Sequence, residues 1–202
     1  MRLTKPISFT DNMNPDCSTP KAIALIGYMY SGKSSVAHRL SYEFGIPSYD
    51  LDDIFEERYH TTIPIFFKKY DEPLFRKLET QLLQQTLTHL LDSTSTPNNS
   101  PAQYILATGG GTPCYNNNME LIKQYATSIY LRYSSQSLYE RMLVAHHTRP
   151  VLAAVPVEQR HDFIAQQLHE RNKFYSQADI IIDADKLSTK EICQQIIDEL
   201  TK

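Results

Sequence analysis

The chain has 202 residues, 41% of them hydrophobic and 21% charged, with a formal net charge of -3. That is length enough for one globular domain with a sizeable core. The missing basic excess argues against a nucleic-acid binder, and no apolar run approaches the roughly 20 residues of a membrane span. Cys17, Cys114 and Cys193 are scattered with no CxxC pair, and the N-terminus lacks an apolar signal-peptide core. The expectation is a reduced, cytoplasmic protein without a disulfide framework or zinc site.

In chain order, residues 1–20 are polar and carry Pro6, Pro15 and Pro20, which predicts a flexible N-terminal tail before a single domain over 21–202. The apolar run KAIALI predicts a buried strand, and SGKSSVAHRLSYEFG a helix ended by Gly45. IPSYDLDD predicts a second strand running into an acidic turn. DDIFEERYH and IPIFFKKYD predict short helices, and EPLFRKLETQLLQQTLTHLL a long one with a leucine stripe. DSTSTPNNSP (92–101) reads as a surface loop. YILAT is a third strand opening onto Gly109, Gly110 and Gly111. After it come helix NNMELIKQY, strand SIYLRY and helix SQSLYERMLVAHH. TRPVLAAVP breaks the pattern and predicts a mobile loop, within a lid of about 144–158. A long helix to Ala178, strand DIIIDA and helix STKEICQQIIDEL finish the chain. Strands alternating with helices predict a parallel sheet with helices on both faces.

Gly27-x-x-x-x-Gly32-Lys33-Ser34 between a strand and a helix fits the phosphate-loop template. Backbone N–H groups of such a loop, Ser31 and Ser35 included, and the helix N-terminus behind it receive nucleotide phosphates. Lys33 offers a cation to the transferring phosphate and Ser34 a hydroxyl to Mg2+. Tyr30 is bulky for this loop. A tyrosine at positive φ costs roughly 1–2 kcal/mol, so the expectation is a negative φ with the ring turned from the phosphates. A switch GTPase would need DxxG and NKxD segments, and neither occurs. A small-molecule kinase remains.

The acceptor side is built from weaker signals. Asp50, Asp52 and Asp53 fall at the carboxyl end of the second strand, where α/β sites lie. Asp53 is the expected helix cap, and Asp52 the group for proton transfer. Arg76 and Glu79 share one helix face: either a surface pair worth little or an arginine held to grip a carboxylate. The three glycines let a substrate approach bare backbone. Arg149 sits in the expected mobile loop, where an arginine can reach phosphates on closure. Arg171 takes no role from its context.

Taken together, the order GxxxxGKS, YDLDDIFEE, FRKLE, ATGGG, RPVL and ERNKFYSQAD resembles the shikimate kinase family, over Ala22 to Asp185. The resemblance implies a three-layer α/β/α P-loop kinase with a five-stranded parallel sheet and a mobile lid. It implies transfer of the γ-phosphate of ATP to the 3-hydroxyl of shikimate, on the way to chorismate and the aromatic amino acids. Asp52 would contact the acceptor hydroxyls as base. Arg76, oriented by Glu79, and Arg171 would bind the shikimate carboxylate, and Gly109, Gly110 and Gly111 would line the substrate. Arg149 would meet the ATP phosphates, Arg141 would lie near adenine, and Asp50 would sit with Ser34 by Mg2+. The implied partners are shikimate and ATP, with no nucleic acid and no membrane, for a monomer. Tyr30 departs from the family, which has glycine there, as does Ser35, where threonine is commoner. A kinase of another hydroxy acid such as gluconate, and a silent nucleotide-binding regulator, are the alternatives.

Overall fold

The computed structural model describes residues 22–93, 103–145, 150–153 and 155–202. The expected tail, residues 94–101 of the polar loop, and Arg149 lie outside the described residues. Among the described residues, five strands form one sheet: β1 (Ala22–Ile26), β2 (Ser48–Asp50), β3 (Ile105–Ala107), β4 (Ala126–Arg132) and β5 (Ile180–Asp183). Their order is β2-β3-β1-β4-β5, and every pairing is parallel.

A continuous apolar strand is the signature of a sheet covered on both faces. β1 shows it directly: each residue of AIALI is 0% exposed. Burying each large aliphatic side chain there is worth roughly 1.5–3 kcal/mol. The helices that cover the sheet are α1 (Lys33–Phe44), α2 (Leu51–Tyr59), α3 (Ile63–Lys69), α4 (Glu72–Ser93), α5 (Asn118–Tyr125), α6 (Ser135–Leu143), α7 (Pro150–Ala153), α8 (Arg160–Tyr175) and α9 (Thr189–Leu200). The result is three layers, α/β/α. Of the predicted leucine stripe on α4, Leu82, Leu83 and Leu87 are buried and Leu78 packs partly buried against the core.

Gly45 ends α1 in the left-handed region at φ 65°, as expected, and its N–H donates to the Ser41 carbonyl. Two expectations differ. The segment predicted as a loop, TRPVLAAVP, contains the one-turn helix α7, with Leu152 fully buried. Proline at the first helical position favours such a turn. The cap of α2 is Asp50, not Asp53: the Asp50 carboxylate accepts from the Asp52 N–H at 2.9 Å, which places Asp53 inside the first turn. Both aspartates suit a cap chemically. The helix begins one residue after β2 ends, and that choice falls to Asp50.

Candidate active site

The carboxyl ends of β1, β2 and β3 open into one cleft of about 970 Å³. Lys33, Ser34, Ser35, Asp50, Asp52, Arg76, Gly109, Gly110, Gly111, Arg141 and Arg171 all line it, together with Gly32 and Tyr30. Gly27 and Ser31 are buried in the loop rather than in the cleft wall. Sequence positions 30 to 171 are thus brought to the carboxyl end of the sheet, where ligands of open α/β folds bind.

The phosphate loop runs from Gly27 into α1. Gly32 caps α1 at φ 83° and has no side chain to cap with, so the N-terminus of α1 meets the cleft without an N-cap side-chain bond. That is an anion site in waiting. The Lys33 ammonium is buried and donates to the carbonyls of Gly27 and Tyr28, each at 2.9 Å. Gly27 is required sterically: a Cβ there would meet the Leu131 carbonyl at 2.9 Å.

Tyr30 corrects the sequence expectation. Its φ is 67°, in the left-handed region, and it forms part of the cleft wall. Arg141 donates through Nε to the Tyr30 carbonyl at 2.7 Å, and the Ser31 N–H closes a turn onto the Tyr28 carbonyl at 3.3 Å. These bonds, with those of Lys33, outweigh the roughly 1–2 kcal/mol cost of the conformation. Arg141 also lies over the Tyr133 ring at 5.0 Å, and a Cβ on Gly32 would touch its Nη2 at 2.9 Å.

At the end of the loop, Ser34 donates to Asp50 at 2.5 Å. Two hard oxygen groups at this point could hold a divalent cation, which prefers such donors and keeps water and phosphate as its other ligands. Among the described residues no group of three or more His, Cys, Asp or Glu is placed to hold a metal alone.

The acceptor side is a network. Arg76 donates to Glu79 at 2.9 Å and to Glu72 at 2.9 and 3.1 Å, and stacks on Tyr115 at 4.3 Å. Glu79, 2% exposed, also accepts from Thr112 at 2.6 Å. Burial works against the Arg76 charge, but the two glutamates outweigh it and raise its pKa. Arg171 lies over the Tyr28 ring at 5.3 Å. Its burial likewise opposes the charge, and the neighbouring Tyr175, Cys114 and Tyr28 raise its pKa on balance. Both guanidinium groups act on the Cys114 thiol, which burial pushes up to about 11. The alternative of a surface pair for Arg76 and Glu79 does not hold, because their side chains are only 11% and 3% exposed.

The glycine run is used differently from the expectation of bare backbone alone. A Cβ on Gly111 would meet Arg76 Nη2 at 2.6 Å, one on Gly109 Asp52 Oδ1 at 3.0 Å and Glu79 Oε1 at 3.0 Å, and one on Gly110 the Met29 nitrogen at 2.9 Å. The absent side chains make room for the protein's own charged groups and for the phosphate loop. Thr112, Tyr115, Glu72 and Tyr175 complete the network and were not singled out in the sequence. Thr112 directly follows ATGGG and Tyr175 stands inside ERNKFYSQAD, both noted above, but nothing local marks their partners.

The fold and the cleft define a P-loop phosphotransferase. A family model for shikimate kinase matches residues 29–201. A shikimate kinase of Parabacteroides distasonis is 34% identical over 182 residues, 90% of this chain and 98% of that protein. The chain belongs to the shikimate kinase family, and is an enzyme that transfers phosphate from ATP to an alcohol. A shikimate kinase of Flavobacterium johnsoniae is 35% identical over 179 residues, 88% of this chain and 98% of that protein. The crystal structure of shikimate kinase from Bacteroides thetaiotaomicron matches at TM-score 0.79 and 30% identity, covering 90% of this chain and 99% of that one. The Acinetobacter baumannii enzyme in complex with shikimate matches at TM-score 0.77 and 27% identity, covering 91% and 94%. A gluconokinase of Sinorhizobium meliloti, at 15% identity and TM-score 0.53, shares the fold alone.

Proposed function

We propose that this chain transfers the γ-phosphate of ATP to the 3-hydroxyl of shikimate, with Arg76 and Arg171 gripping the acceptor carboxylate. The carrying observation is that two restrained guanidinium groups line the same cleft as the phosphate loop, with Asp52 against Gly109 of the glycine run in that cleft. A fixed guanidinium matches a planar carboxylate through paired hydrogen bonds. Family membership points to the same acceptor, and its product feeds chorismate and aromatic amino acid synthesis.

The roles follow from position. The N–H groups of the loop through Gly27, Ser31, Gly32 and Ser35 cradle the β- and γ-phosphates, and Lys33 turns its ammonium from loop carbonyls toward the transferring group. Asp52 accepts the proton of the acceptor hydroxyl as its oxygen bonds to the γ-phosphorus and the bond to the bridging oxygen breaks, releasing ADP. Ser34 and Asp50 would hold Mg2+, which would supply positive charge near the phosphate oxygens. Arg141, by the family resemblance, is assigned to the adenine side of the nucleotide. We assign Arg149 to the ATP phosphates and the lid to about 144–158 by the family resemblance; of the described residues in that span, Val144, Ala145 and Val151 line the cleft. Catalysis is then positioning and charge neutralisation in a site closed to water.

We read residues 21–202 as one kinase domain, monomeric and cytoplasmic. The free thiols of Cys114 and Cys193 fit a reducing compartment, and gel filtration tests the monomer. The function is tested by ADP release with ATP and Mg2+ across an acceptor panel. Shikimate should give turnover and gluconate none. Turnover on gluconate alone would replace the acceptor, and turnover on nothing would favour a silent nucleotide binder.

A further inference from the structure

Tyr175 ends α8 and is 0% exposed. Its ring packs on Tyr130, with centroids 5.1 Å apart. Its hydroxyl donates to the Gly110 carbonyl at 2.5 Å. Arg171 lies one helical turn earlier on α8, so the two side chains share a face. Gly110, for its part, presses against the backbone of the phosphate loop: a Cβ on it would stand 2.9 Å from the Met29 nitrogen and 3.4 Å from the Tyr28 carbonyl carbon. One buried oxygen therefore touches the glycine run, and sits beside an arginine of the acceptor site and a backbone that abuts the donor loop.

We propose that Tyr175 is a positioning residue of the acceptor site, whose hydroxyl fixes Gly110 and Arg171 relative to the phosphate loop. This rests on the proposed function, in which Arg171 grips the acceptor. The hydroxyl stays protonated: burial first, and then the Cys114 thiol, drive its pKa well above the ordinary tyrosine value. It therefore remains a donor to the Gly110 carbonyl, and its oxygen is a neighbour of the Arg171 guanidinium that favours the arginine's charge. Without it, Gly110 loses its side-chain tether, and Arg171 loses a neighbour that favours its charge.

The test is Tyr175→Phe, which deletes one oxygen and keeps the ring on Tyr130. Tyr104→Phe is the control, because Tyr104 is equally buried and its hydroxyl donates to the Thr86 and Leu87 carbonyls of α4, about two turns beyond Glu79, and none of these three residues lines the cleft. The acceptor is whichever one the wild-type enzyme turns over in the panel, so an unexpected acceptor is read in wild type and replaces shikimate in the proposed function, whereas failure of this inference is read in Tyr175→Phe. Tyr175→Phe should raise the KM for the acceptor by roughly tenfold and leave the KM for ATP unchanged. Tyr104→Phe should lower the unfolding midpoint and move neither KM. A second measurement needs no turnover: phenylglyoxal modification of Arg171, followed by peptide mass, should accelerate in Tyr175→Phe alone. An unchanged acceptor KM and an unchanged Arg171 rate, or the same changes in Tyr104→Phe, would overturn the assignment.

Discussion

Arg141 donates to the carbonyl oxygen of Tyr30 across 2.7 Å, from a helix 111 residues further along the chain. That bond fixes the phosphate loop from outside and holds a tyrosine at φ 67°. A non-glycine residue pays for this conformation, and glycine does not. Tyr30→Gly should therefore be more stable than Tyr30→Ala, by about 1 kcal/mol. In an ordinary loop at negative φ the order reverses, since glycine has more entropy to lose. Urea unfolding of the pair decides between them, and an alanine variant equal to or more stable than the glycine one would show that the loop relaxes away from positive φ.

Glu79 and Glu72 both bond Arg76, yet they should behave very differently. Glu79 is buried and also holds Thr112, whereas the Glu72 side chain is 51% exposed. Breaking a buried pair costs roughly 3 kcal/mol or more, and an exposed pair contributes about 1 kcal/mol or less. Glu79→Ala should unfold at markedly lower urea, and Glu72→Ala near wild type. Arg76→Ala should raise the KM for shikimate roughly ten- to hundredfold, the worth of hydrogen bonds to a charged group. A selective loss of ATP affinity in Arg76→Ala would place the residue on the donor side.

Asp50 serves two ends at once, capping α2 and accepting from Ser34. Asparagine caps a helix as well as aspartate does but carries no charge for a cation. Asp50→Asn should keep its unfolding midpoint while its Mg2+ activation curve shifts to roughly 10- to 100-fold higher concentration, the usual cost of losing a supporting metal group. An unshifted curve would remove Asp50 from the metal site.

Much of this site was legible because its residues are contiguous. Gly27 to Ser34 is one loop whose chemistry is backbone chemistry, so spacing alone locates it, and the continuous burial of β1 is written in AIALI. What failed in the sequence was decided at long range. The φ of Tyr30 is set by Arg141 and the loop's own bonds, and local preference pointed the other way. The choice of Asp50 over Asp53 as cap turns on where β2 stops, a matter of one residue. The role of the glycine run was half visible: glycine signals close approach, but not that Arg76, Asp52 and Glu79 are what approaches. The hydrogen bond between Thr112 and Glu79 joins positions 33 apart, and no local pattern announces it.

Asp52 stands at the meeting point of these parts. Its Oδ1 would lie 3.0 Å from a Cβ on Gly109, so it is held against the glycine run on the acceptor side of the cleft. A positioned carboxylate that takes a proton in the transition state contributes roughly 10²–10⁴ in rate. Asp52→Asn keeps the size and much of the hydrogen bonding and removes the base. It should lower kcat by that factor while ATP, followed by fluorescence titration of an analogue, binds as in wild type. Because the phosphate loop and Arg141 lie on other elements, a variant that lost nucleotide binding as well would point to collapse of the cleft. Full turnover would show that the hydroxyl loses its proton without Asp52, to the phosphate itself or to water.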